Sequence, residues 1–152
     1  MPVLDTINFG TISFVLESVF EFPAGLPGFE DSHHFVPVQN PQTAPIVFLQ
    51  SVEDPALCFT TIPVRVVDPG YQLQIGNEDL ATLGWKLKEA PRIGEELLCL
   101  AVLSIRESGP TANLLAPVVV HLGTHQAVQA VAPNSSYSHR HPLFPIEAPA
   151  CS

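Results

Sequence analysis

Short extended-looking apolar runs joined by proline and glycine turns make up most of this chain, with alternation in residues 5–16 and 71–75, and a helical spacing appears only around Leu80 and Leu83. In residues 5–16, Ile7 and Phe9 precede Gly10, and Ile12 and Phe14 follow it; this predicts a strand, a glycine bulge or turn, and a second strand. Residues 35–38 read as extended, with Pro37 placing them at a sheet edge or making them irregular. Residues 46–52, IVFLQSV, are β-branched and apolar. The turn formers Glu53, Asp54 and Pro55 then return the chain into residues 58–62 as a hairpin, with Pro63 as the stop. Tyr71, Leu73 and Ile75 alternate with Gln72 and Gln74, as on a half-buried strand. Asn77 then offers an N-cap, Glu78 and Asp79 acids for a first turn, and Gly84 a stop, predicting the only helix near residues 79–83. Residues 97–105, LLCLAVLSI, carry neither charge nor alternation, as in a central strand covered on both faces, and Ser108, Gly109 and Pro110 close it. Residues 117–122 and 126–131 flank Gly123 and Thr124 and read as a last hairpin.

Composition sharpens this. Sixteen prolines are about twice the usual share of about 5%, and their spread leaves no room for long helices. The expected fold is all-β: a sandwich or partly open barrel of about ten short strands with one short helix. Residues 1–142 form a single domain and 143–152 a loose, proline-rich tail. Fifteen acidic against six basic residues leave a net charge of −9. Six scattered cations cannot make a phosphate-binding patch, so direct nucleic-acid binding is not expected. An acidic surface suits a basic protein partner. The amino terminus lacks a basic secretory n-region, and the longest apolar run, residues 97–103, is far too short to span a bilayer. Cys58, Cys99 and Cys151 are widely spaced, and two lie in apolar runs, as reduced cysteines of a cytoplasmic protein would.

One stretch departs from the strand pattern. FPAGLPGFE, residues 22–30, holds two prolines and two glycines between extended segments, yet Phe22, Leu26 and Phe29 are too apolar for a solvated loop. It reads as an ordered loop pinned onto a core, with Gly28, and less firmly Gly25, at positive φ against packed neighbours. FPAGLPGFE, then LQSVEDPALCF at residues 49–59, the turn Asp68-Pro69-Gly70-Tyr71, and TANLLAP at residues 111–117 running into VVVHL, resemble the FliW family of flagellar assembly factors in that order. The resemblance covers about residues 6–142. It implies a non-enzymatic protein, a monomer when free, that binds the RNA-binding regulator CsrA and also flagellin, with no cofactor. CsrA is thereby kept from repressing flagellin mRNA. Within the matching motifs the candidate partner contacts are Gly25, Leu26, Pro27, Gly28, Phe29, Gln50, Glu53, Asp54, Tyr71 and Asn113. Asp68-Pro69-Gly70-Tyr71 departs from the Pro-Asp-Tyr order usual in that family, and the apolar tail departs from its polar or basic ones.

A competing chemistry rests on histidine. His121 and His125 flank the last predicted turn, and His139 and His141 share one face of an extended chain; together they could hold zinc in a small metal-dependent hydrolase. No carboxylate lies beside either pair in sequence to orient the rings. The adjacent pairs Glu53-Asp54 and Glu95-Glu96 point opposite ways on extended chain and suit a solvated face better than acid–base catalysis. Neither a nucleophile elbow nor a phosphate-binding glycine loop occurs. Asn113 can fold back on its own backbone as an Asx-turn.

Overall fold

The computed structural model describes residues 2–107, 109–131 and 136–143, so Cys151 and all of the expected tail except Leu143 lie outside the described residues. Strands β1 (Val3–Thr6) and β2 (Gly10–Ser13) pair with each other alone. Thr6 closes their turn, its hydroxyl accepting from the Phe9 N–H at 2.8 Å, and Gly10 takes φ 66°. This hairpin is tied to the body by the Ile7 N–H on the Pro55 carbonyl (3.0 Å) and by an edge-on contact of Phe9 with Phe48.

The body is one curled antiparallel sheet. It comprises β3 (Phe20–Glu21), β4 (His34–Gln39), β5 (Val47–Ser51), β6 (Cys58–Pro63), β7 (Leu97–Arg106), β8 (Gly109–Ala112), β9 (Val118–His121), β10 (Ala127–Gln129) and β11 (His141–Pro142). Its order is β10-β9-β7-β6-β5-β4-β3, with β8 on β7 and β11 on β8. The expected hairpins β5–β6 and β9–β10 are both present. Pro37 is tolerated because the two-residue β3 covers only His34 and Phe35, which leaves the rest of β4 as an edge. The long β7 organises the rest: β6 runs along one side, while β9 takes residues 97–100 and β8 residues 103–106 of the other.

Strand β7 lacks alternation because both of its faces are covered in the first half. Leu97, Cys99 and Ala101 enter one apolar cluster with Ile62, Tyr71, Leu83, Leu114 and Val119. Leu100 enters a second with Phe20, Phe22, Leu26, Phe35, Leu49 and Val118. The cover stops before the end, where Ile105 is 78% exposed.

Three local expectations need correction. The turn of the first hairpin falls on residues 7–9, so Ile7 and Phe9 lie in it and Gly10 opens β2, whereas the sequence pattern puts the turn at Gly10. A second helix, α1 (Val64–Val67), follows Pro63 directly. Its VRVV sequence favours a strand; the buried Val64 packing into the first cluster outweighs that preference. Residues 71–75 keep the predicted alternation, with Tyr71 buried and Gln72 exposed, but they join no sheet. Side chains hold them instead. The Tyr71 hydroxyl donates to the Leu114 carbonyl at 2.7 Å, and the Gln72 N–H donates to the Tyr137 hydroxyl. The predicted helix is α2 (Asn77–Leu83), capped by the Gly76 backbone and not by the Asn77 side chain. Gly84 ends it at φ 80°, with its N–H on Ala81 and that of Trp85 on Leu80, and the Thr124 hydroxyl covers the Leu83 carbonyl.

The sheet curls until its two edges touch. The Glu21 N–H donates to the His125 carbonyl at 2.9 Å, and the Gln126 amide donates to the Glu21 carboxylate at 2.8 Å. That single bridge, Glu21 to Gln126, is parallel. The structure is therefore an open, curled sheet and not a closed barrel.

Candidate protein-binding surface

The loop of residues 22–30 begins where the bridge ends. Pro23 has no N–H, so the pairing of Glu21 with the β10 side cannot continue past Phe22. Phe22, fully buried, and Leu26 anchor the loop in the second cluster, with Phe22 edge-on to Phe35. Within it the Gly25 N–H returns to the Phe22 carbonyl and the Phe29 N–H to the Leu26 carbonyl. Both glycines are left-handed, Gly25 at φ 70° and Gly28 at φ 86°. Their surroundings reverse the expectation. A Cβ at Gly25 would stand 2.7 Å from the Glu30 Cα, whereas one at Gly28 would meet nothing within 4 Å. Gly25 is the packed glycine; Gly28 is special only in its backbone.

The loop is locked from outside by Glu53. Its carboxylate accepts the N–H groups of His33 and His34 at 3.3 and 3.1 Å and the His34 ring at 2.6 Å, while Glu21 approaches the other ring nitrogen at 3.8 Å. Partial burial pushes the Glu53 pKa up, but these hydrogen bonds outweigh it and hold the group below its ordinary value. Glu30 is held low by the Gly28 N–H on its carboxylate and by its own backbone.

On its inner side the loop borders two shallow hollows that meet at Pro27 and Gln129. One, of about 230 Å³, is floored by Leu26, Phe59 and Val102 and rimmed by Ser104, Asn113, His139 and Arg140. The other, of about 290 Å³, lies between the loop residues Ala24 and Gly25, the edge of β10, and Asp79 and Thr82 of α2; Glu30 and Asp79 make it acidic. Asp79 is raised above its ordinary value by burial and then by the Glu78 charge. The half-exposed Phe29 stands edge-on to Phe59 beside the first hollow. Gly25, Leu26, Pro27 and Asn113 are thus brought to one trough, with Phe29 beside it. Gly28, Gln50, Glu53, Asp54 and Tyr71 are not among the residues lining it. The Gln50 amide is buried and donates to Ser51, Asp54 and Pro55 carbonyls, the Asp54 carboxylate caps the Ala56 N–H, and Tyr71 is buried. Asn113 does form the expected Asx-turn, its side-chain oxygen accepting from Leu115 at 3.1 Å and Ala116 at 2.9 Å.

The four histidines do not converge. His121 pairs across from Leu97, and His141 pairs with Ala112, which faces Leu103, six residues along β7. At about 3.3 Å per residue that is roughly 20 Å, too far for one ion. The His121 Nδ1 already accepts from the Gly123 and Thr124 N–H groups, and the His125 ring stands edge-on to Phe20. Among the described residues no three His, Cys, Asp or Glu side chains are grouped to hold a metal. No helix there is long and apolar enough to cross a membrane.

Comparison with known proteins agrees with this architecture. The FliW protein family profile matches residues 3–143. The chain belongs to the FliW family. It is 34% identical over 148 residues to the flagellar assembly factor FliW of Syntrophomonas wolfei, covering 95% of this chain and 89% of that one. It is 36% identical over 132 residues to that of Symbiobacterium thermophilum, covering 85% and 91%. A crystal structure of the flagellar assembly factor FliW superimposes with a TM-score of 0.82 at 28% identity, over 95% of this chain and 98% of that one.

The ordered motifs that carry the family likeness play different parts. FPAGLPGFE forms one wall of the trough, and TANLLAP supplies Asn113 to its rim. LQSVEDPALCF supplies Phe59 to its floor and the Glu53 clamp behind the loop. Sequence reasoning missed Gln129 and Arg140, and singled out His139 only as a metal ligand; all three reach the trough only through the β10 edge and the chain before β11. It also missed the pairing of Glu53 with His34, nineteen residues apart. The register of β4 on β5, Phe35 against Ser51, is the only signal that brings them together.

Proposed function

We propose that this protein is a cytoplasmic flagellar assembly factor that acts by binding other proteins and performs no catalysis. Its partners are a CsrA-like RNA-binding regulator and flagellin. Holding the regulator keeps it off flagellin mRNA, and flagellin, by binding the same factor, sets how much regulator is free. The observation that carries this reading is the family match along residues 3–143, the whole length of the fold. Two further features support it. The net charge of −9 complements a regulator basic enough to hold RNA. The trough has an apolar floor and a polar rim, the character of a protein contact.

The test is co-purification from the native cell, followed by binding kinetics with purified regulator and purified flagellin over a range of salt. Opposite charges speed encounter and are screened over about 8 Å at physiological ionic strength, so association should slow as salt rises while dissociation changes little. Failure of both proteins to bind would overturn the reading.

A further inference from the structure

Strand β10 is paired on one side only. The His121 N–H donates to the Gln126 carbonyl and the Ala130 N–H to the Pro117 carbonyl, so the even-numbered residues of this segment face β9. The backbone groups of Ala127 and Gln129 then face away from β9 by the two-residue period of a strand. Beyond the bridge at Glu21 and Gln126 nothing takes them up. The Gln129 N–H and carbonyl have no backbone partner among the described residues. Ordinarily the neighbouring chain would continue the ladder, but Pro23 ends it and the loop veers off, opening the acidic hollow along the unpaired edge.

We propose that this trough receives an extended segment of a partner protein, which adds to β10 as a further strand. Its backbone pairs with the outward groups of Gln129, and a Lys or Arg side chain faces Glu30 and Asp79 at the acidic end. An apolar side chain of the same segment settles on Leu26, Phe59 and Val102 in the adjoining hollow. The acidic lining selects a cationic segment. The short open edge flanked by α2 and the loop selects an extended one, because a helix offers no free backbone groups to pair with Gln129.

This rests on the reading of the chain as a partner-binding protein and adds the mode of contact, so the experiment separates the two. The full-length protein is mixed with purified CsrA-like regulator, and separately with purified flagellin, and amide hydrogen exchange is followed residue by residue. The expected result is that the Gln129 amide slows at least tenfold in one of the complexes, and that Asp79→Asn weakens the same complex several-fold. A second arm uses Gln129→Pro, which removes the outward N–H without removing a bond to β9 and should weaken binding at least tenfold. If that variant fails to fold, the exchange measurement on the unaltered protein still decides. Tight binding with Gln129 exchanging as fast as before would overturn the strand-addition mode and leave the partner reading intact. Binding of neither protein would overturn both.

Discussion

Replacing Gly25 by alanine should destabilise the fold more than the same change at Gly28, although both glycines are left-handed. At either position alanine bears the strain of a left-handed backbone, roughly 1–2 kcal/mol. At Gly28 that is all, since a Cβ there projects into open space. At Gly25 the new atom would lie 2.7 Å from the Glu30 Cα and 2.9 Å from its carbonyl oxygen, both backbone atoms that cannot swing aside. Relieving such overpacking adds about 1–3 kcal/mol, giving a total of about 2–5 kcal/mol at Gly25. For a chain of this size each kcal/mol lowers the melting temperature by about 2–4 °C, so Gly25→Ala should melt about 10 °C below the parent and Gly28→Ala about 4 °C. Thermal unfolding followed by calorimetry gives the melting temperatures, and equilibrium urea unfolding followed by circular dichroism gives the free energies. A Gly25→Ala protein as stable as Gly28→Ala would refute the argument, because it would mean that the Glu30 backbone yields without penalty and the loop is not a rigid wall.

Three other outcomes are expected. Tyr71→Phe leaves the Leu114 carbonyl without its 2.7 Å donor in a buried setting, and urea unfolding should show a loss of about 1–3 kcal/mol. Because the folded-state pKa of Glu53 is lowered, the stability it contributes is present above its ordinary value of 4.5 and is lost as pH falls through the folded value. Glu53→Gln should therefore melt below the parent at neutral pH, and the two melting curves should converge as the pH falls below 4.5 and through the folded value. Cys99 is 1% exposed, and burial pushes its thiol up to about 12, so it should resist a thiol reagent until the chain unfolds, while the half-buried Cys58 reacts first. Labelling followed by peptide mapping checks the order.

The strands were legible because they are defined by neighbours in sequence. Apolar runs punctuated by Gly and Pro locate β5, β6, β9 and β10, and the uncharged run of β7 already signals two covered faces; the first hairpin was legible as a pair of strands, but its turn fell on residues 7–9 and not at Gly10. The α1 turn was illegible since VRVV carries a strand's composition, and only the pocket that receives Val64 makes it helical. Residues 71–75 show the converse. Their alternation reports which side is buried and says nothing about a ladder partner, and Tyr71 is held by a hydroxyl bond to Leu114, forty-three residues away. At the trough, composition identified the loop wall and the Asn113 turn because both are local motifs. Gln129 and Arg140 stayed hidden, since their place depends on how far the sheet curls. No spacing rule states that curl.

The same curl explains why one loop serves both fold and surface. A sheet whose edges meet at Glu21 and Gln126 is one step from closing, and further pairing along β10 would remove the open edge altogether. Closure is stopped by composition: Pro23 supplies no donor, and Gly25, backed against Glu30, turns the chain away. Phe22 and Leu26 meanwhile keep that departing chain fastened to the core, so the gap beside β10 is held open by packed side chains. An unpaired edge is a liability in a soluble protein. Here β10 is limited to three residues between a helix and a pinned loop, too short and too enclosed to template another sheet. What remains is an edge that admits one short, extended, correctly charged segment and excludes a broad β-surface. Selectivity of that kind follows from where two prolines and two glycines fall in nine residues.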